Sequence, residues 1–219
     1  MCGVIGIFSQ KNIDQEIIQT LLLQSMIRGK HATGLSWIDW ENNKSIIKHK
    51  IVKHSADKFD LPEIKTKHLI AHCRYSTSDL QYNQPIIYDD VAIVHNGVVT
   101  QTDAKKWQSI YNMKFDTKCD SEILLKHYNK NIHPLNLDGS MSCILLDNKD
   151  TPTIRFFRNE QRPLYYANYK NTYYIASTKD ILARSNIKNI IKTQCCIDYK
   201  LSKNGLNEVM IRKSKGDLQ

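Results

Sequence analysis

The chain has 219 residues, of which 41% are hydrophobic and 24% charged, with eight Gly and five Pro. That is the composition of one folded domain, long enough to bury about 70% of the surface its unfolded form exposes, and it excludes a disordered chain. No run approaches the roughly 18 apolar residues of a membrane helix, and the +9 charge comes mainly from Lys spread along the sequence, so it reads as solvated surface ahead of a nucleic-acid footprint.

The chain opens Met1-Cys2-Gly3-Val4-Ile5-Gly6-Ile7-Phe8. A small side chain behind the initiator methionine favours methionine removal, which makes Cys2 the first residue of the mature chain. A terminal cysteine carries a nucleophilic thiol and, on the same residue, an amine whose ordinary pKa of about 7.7–8.0 suits a base. The bland alternative is a small buried hydrophobe beside a strand. Polar Ser9-Gln10-Lys11 cuts the apolar run short of a signal peptide, so a cytoplasmic protein is expected. The six cysteines show no two-residue spacing of a zinc or redox motif, and reduced thiols are expected.

Residues 4–8 read as a short buried strand that anchors Cys2. Asp14 caps a helix to about Met26, with Ile17, Ile18, Leu21, Leu22, Ser25 and Met26 at helical spacing and Gly29 as its stop. Arg28-Gly29-Lys30-His31-Ala32-Thr33-Gly34 reads as a glycine-bounded turn, followed by strands at about 35–40 and 45–52 joined through Glu41-Asn42-Asn43. Residues 53–66 read as a loop. A strand over 68–74 ends in His72-Cys73-Arg74-Tyr75-Ser76-Thr77-Ser78-Asp79. A hairpin over 86–94, turning at Asp89-Asp90, delivers His95-Asn96-Gly97. Helices are predicted over about 103–111 and from Cys119-Asp120-Ser121-Glu122, where Asp120 is either a cap or a carboxylate aimed at a ligand. Strands over 142–146, 153–158, 164–167 and 173–177 look like consecutive hairpins. Two clusters of strands with helices between them point to two stacked antiparallel sheets covered by helices.

The ordered segments Cys2 to Ile7, Arg28-Gly29 to Gly34, His72 to Thr77, Gln84-Pro85, His95-Asn96-Gly97, Asp120-Ser121-Glu122-Ile123-Leu124 and Arg162-Pro163-Leu164-Tyr165-Tyr166 resemble those of the class II glutamine amidotransferases, the N-terminal-nucleophile glutaminase domains. The resemblance implies an α+β fold, a four-layer αββα sandwich. The chain is read as one glutaminase domain over 1–219 with a basic tail from about 202 that includes Arg212-Lys213-Ser214-Lys215. It implies that Cys2 attacks the side-chain amide carbon of glutamine, with its own α-amino group moving the proton. Asn96, through its amide, and Gly97, through its N–H, hold the oxyanion. Arg74 grips the substrate α-carboxylate and Asp120 receives its α-ammonium, with Thr77 and Arg28 in support. No cofactor and no metal are implied.

Two departures stand out. Relatives that feed a synthase often carry R-D-x-x-G-x-R-P-L, whereas Arg158-Asn159-Glu160-Gln161-Arg162-Pro163-Leu164 is two residues shorter and lacks the glycine. Nor is there room for a domain that binds an ammonia acceptor, so a separate synthase partner is expected. The rival readings are a hydrolase of another γ-glutamyl amide or peptide, a non-catalytic glutamine sensor, and a metal site of His72, Cys73 and His95. The last is disfavoured because neighbouring strand residues point to opposite faces.

Overall fold

The computed structural model describes residues 2–76 and 80–211. In chain order the elements are β1 (Gly3–Ser9), α1 (Gln15–Ser25), β2 (Ala32–Glu41), β3 (Lys44–Val52), β4 (His68–Arg74), β5 (Ile86–Tyr88) and β6 (Val91–Val98). Then come α2 (Trp107–Tyr111), α3 (Ser121–Asn129), β7 (Ser140–Asp147), β8 (Thr153–Arg158), β9 (Tyr165–Tyr169) and β10 (Thr172–Ala176). The chain finishes with α4 (Lys179–Arg184), β11 (Ile191–Lys192), β12 (Ile197–Ser202) and β13 (Gly205–Met210). Among the described residues no helix is long and apolar enough to cross a membrane.

Two antiparallel sheets stack face to face, one in the order β11-β9-β10-β1-β4-β2-β3 and the other β13-β12-β8-β7-β6-β5. Three apolar clusters separate the four layers. Val4, Phe8, Ile70, Val94, Ile144 and Phe156 fill the space between the sheets. Ile5, Ile7, Leu69 and Cys73 face α1 and α4, while Ile93, Cys143, Leu145 and Phe157 face α2 and α3. Every residue of β1 is buried, which follows from its central place between β4 and β10: both faces are covered, so both are apolar. Phe156, fully buried, stacks on Tyr199 at 4.9 Å and 10°. Phe156→Ala is expected to cost about 3–5 kcal/mol, seen as a lower urea midpoint at unchanged slope.

The expected αββα architecture is present, and local signals explain much of it. Asp14 accepts from the Glu16 N–H at 2.9 Å and caps α1. The hairpin turns Asn42-Asn43 and Asp89-Asp90 have positive φ at both residues, as two-residue hairpins require. Several details differ from the sequence reading. Helix α1 ends at Ser25 and tightens into a 3₁₀ turn, Met26–Arg28, ahead of Gly29. Gly29 is extended; glycine is needed because a Cβ there would lie 2.2 Å from the Arg74 carbonyl carbon. Gly34 lies inside β2, where a Cβ would meet the Gln84 carbonyl oxygen at 2.2 Å. The helix expected over 103–111 is a 3₁₀ turn followed by the short α2. The late strands change sheets, β8 joining β7 and β9 joining β10. The segment read as a basic tail begins inside the β12–β13 hairpin, whose outer strand is a largely exposed edge without regular apolar alternation. The basic run from Arg212 lies outside the described residues.

Candidate active site

Strand pairing brings the ends of β1, β4 and β6 to one rim of the sandwich, beside the start of α3. Gly3 pairs with Cys73, placing Cys2 next to Arg74. A cavity of about 620 Å³ opens there, lined by Cys2, Arg74, Gly97 and Asp120 together with Tyr82, Gln84, His95 and Trp107. Side chains from distant parts of the sequence thus converge on Cys2.

The Cys2 nitrogen donates to Asn96 Oδ1 at 3.0 Å. That bond fixes the orientation of the Asn96 amide, because a nitrogen donor must face its oxygen. Asn96 is 2% exposed, and its Nδ2 is buried with no hydrogen-bond partner. An unmet buried donor costs about 1–3 kcal/mol, so its retention beside a thiol points to an acceptor that arrives with a ligand. The Cys2 thiol itself approaches the Tyr75 carbonyl at 3.8 Å.

The next residue, Gly97, is forced by space: a Cβ would lie 1.8 Å from the Ser140 carbonyl oxygen and 2.6 Å from His95 Nε2. His95 is itself locked. Its Nε2 lies 3.2 Å from the Ser140 carbonyl, which only accepts, so Nε2 carries the proton and Nδ1 accepts from Ser121 Oγ at 3.2 Å. Burial lowers its pKa, an effect opposed by the charge of Asp120 and strengthened by that of Arg162. His72, also buried in the cavity wall, is pushed down to about 3 by desolvation, helped by Arg74. Both imidazoles are neutral at pH 7.

Arg74 Nη1 donates to the Tyr82 carbonyl and to Asn83 Oδ1, the latter at 2.7 Å, so the 82–83 segment sets the guanidinium. Asp120 sits at the N-cap position of α3, yet its side chain makes no capping bond; Oδ2 instead accepts from the Val99 N–H at 2.7 Å. The capping reading is therefore not realised, and Asp120 lines the cavity. Glu122, from the same motif, is structural. Its carboxylate accepts the N–H groups of Asp116 and Thr117 at 2.8 and 2.7 Å and folds the segment ahead of α3.

Arg28 does not line the cavity. It sits on the 3₁₀ turn after α1, within electrostatic reach of Cys2 and Arg162; burial lowers its pKa and the charge of Cys2 raises it. Thr77 lies outside the described residues. His72 and Cys73 point to opposite faces of β4, Cys73 into the helix-side core, and among the described residues no three metal-ligating side chains converge. In the 158–164 loop, Asn159 accepts from the Met141 N–H at 3.1 Å and donates to the Gly139 carbonyl at 2.7 Å.

The profile described as "Glutamine amidotransferase domain" matches residues 41–215. The chain belongs to this family. The matched stretch of the amidotransferase domain holds Arg74, Asn96, Gly97 and Asp120 and begins after Cys2 and Arg28. The domain is 26% identical over 172 residues to the glutamine–fructose-6-phosphate aminotransferase of Photorhabdus laumondii, covering 70% of this chain and 28% of that protein. It is 30% identical over 134 residues to the amidophosphoribosyltransferase of Pasteurella multocida, covering 57% and 26%. The chain thus spans about a quarter of the length of these relatives, which are enzymes. The fold matches the glutamine phosphoribosylpyrophosphate amidotransferase of B. subtilis with a TM-score of 0.79 at 19% identity, over 98% of this chain and 50% of that one. It also matches a glutamine aminotransferase class-II domain protein of Silicibacter pomeroyi with a TM-score of 0.60 at 11% identity, over 96% and 99%.

Proposed function

We propose that this domain hydrolyses the side-chain amide of glutamine through a γ-glutamyl thioester on Cys2 and passes the ammonia to an acceptor. The observation that carries the reading is the pairing of the Cys2 nitrogen with Asn96 Oδ1, which leaves Nδ2 buried and unmet on a residue bonded to Cys2 and followed by Gly97, both of which line the cavity. With Met1 removed, the α-amine keeps a lone pair while donating one hydrogen to Asn96. It takes the thiol proton as Sγ adds to the amide carbon, and the carbonyl electrons move onto oxygen. Asn96 Nδ2 and the Gly97 N–H receive that oxyanion. The α-ammonium then returns its proton to the leaving nitrogen, ammonia departs, and water cleaves the thioester by the same steps.

Arg74 and Asp120 supply opposite charges for the two ends of a free amino acid, which favours glutamine over a glutaminyl residue inside a peptide. Ammonia released into water is diluted and protonated, so the proposal includes a synthase that closes over this rim, which we expect to be a separate protein; the setting is cytoplasmic. The direct test is to incubate purified protein with glutamine and measure glutamate and ammonia; no product above the uncatalysed rate would sink the reading. Arg74→Lys and Asp120→Asn should each raise KM about 10- to 100-fold, the scale of a charged hydrogen bond, with kcat changed much less. If both variants stay folded and KM does not move, the glutamine pocket lies elsewhere.

A further inference from the structure

The short run Tyr82-Asn83-Gln84 touches both halves of the site. Strand β5 pairs with β6 only through Ile86↔Ile93 to Tyr88↔Val91. Extending that register sets Gln84 opposite His95, but the backbone ladder stops at Ile86, and Pro85 between them lies at the outer edge, where no N–H is needed. The side chain of Gln84 fills the gap. Its Oε1 accepts from the His95 N–H at 2.5 Å and its Nε2 donates to the His95 carbonyl at 3.1 Å, the two bonds a hydrogen-bonded strand neighbour would make. Gln84 is buried, and Gly34 leaves room for its backbone.

In an antiparallel strand, residues two apart direct their N–H groups to the same edge. The Gly97 N–H therefore follows that of His95 on the β5 side, one rung beyond the place where Gln84 ends the sheet. We infer that Gln84 is a positioning residue whose side-chain amide serves as the last rung of the β5 edge, holding β6 so that Asn96 and Gly97 present their donors to the cavity. Its neighbours act on the other half: Asn83 Oδ1 and the Tyr82 carbonyl hold Arg74. Adjacent residues thus set the oxyanion donors and the carboxylate grip separately.

This inference rests on the proposed reaction for its kinetic consequence and on geometry alone for its structural one, so the test has two arms. In the first, glutaminase kinetics are measured for Gln84→Met and Asn83→Ala. Gln84→Met should lower kcat about 10- to 100-fold at nearly constant KM, the effect of slightly misplaced donors. Asn83→Ala should raise KM with kcat nearly kept. Alkylation of Cys2 by iodoacetamide, a displacement that builds no oxyanion, should proceed at the wild-type rate in Gln84→Met. The second arm is hydrogen exchange of the folded proteins: the 93–98 segment should lose protection in Gln84→Met and keep it in Asn83→Ala. Unchanged exchange over 93–98 in Gln84→Met would overturn the inference, as would a fall in kcat matched by the same rise in KM in both variants. A wild-type protein inert toward glutamine would defeat the proposed reaction, and the exchange arm would still decide the role of Gln84.

Discussion

Cys2→Ala is expected to lower kcat for glutamine about 10⁴-fold or more, the scale of losing a covalent nucleophile, while the protein stays folded. The side chain is only partly buried at the cavity rim, so its loss leaves the core intact. The same residue should be the one that an electrophilic glutamine analogue labels. Burial pushes the thiol of Cys73 up to about 12 and raises that of Cys143 well above its ordinary value, and that of Cys119, which is partly buried and lines the cavity, is pushed up to about 11, so these three are protonated at pH 7. Cys195 and Cys196 are partly exposed but lie in the turn before β12, outside the cavity. Peptide mapping reads the result directly: label on Cys73, or full activity in protein whose intact mass retains Met1, contradicts the mechanism.

Asn96→Ala should lower kcat about 100- to 1000-fold, or about 3–4 kcal/mol of barrier, with little change in KM, because an oxyanion exists only after attack. Alanine removes two things, the acceptor for the Cys2 nitrogen and the buried Nδ2 donor. Asn96→Asp separates them, since a carboxylate still accepts from the nitrogen but offers no N–H. An equal fall in Asn96→Asp assigns the effect to the donor. Near-wild-type turnover in Asn96→Asp would mean that Nδ2 does not meet the developing charge.

Much of this candidate site was legible in the sequence because the residues that gather there sit in short ordered motifs at strand ends: Cys2 ahead of β1, Arg74 closing β4, Asn96-Gly97 in β6 and Asp120 ahead of α3. Strands with strong apolar patterning were readable for the same local reason. What was not readable depends on contacts far apart in the chain. Nothing in residues 164–177 says that β9 and β10 leave the β7–β8 sheet to flank β1, since that register is set by Ile5 meeting Ala176. Strand β13 was missed because it faces water and carries little alternation, whereas β12 was passed over although Ile197, Tyr199 and Leu201 alternate into the core. Gln84 was visible only as part of a motif; a side-chain amide standing in for backbone can be recognised only once the point where β5 stops is known.

The central position of β1 sets a timetable for making the enzyme. Synthesis delivers β1 first, yet its neighbour β10 begins at Thr172. At roughly 5–20 residues per second, the amino terminus waits on the order of 10–30 s before both flanking strands exist. In the finished fold the Cys2 nitrogen is tied to Asn96 at the cavity rim. If the proposed mechanism holds, the leading methionine is expected to be excised from the nascent chain, and supplying the aminopeptidase only after folding should recover active protein far more slowly than supplying it during translation.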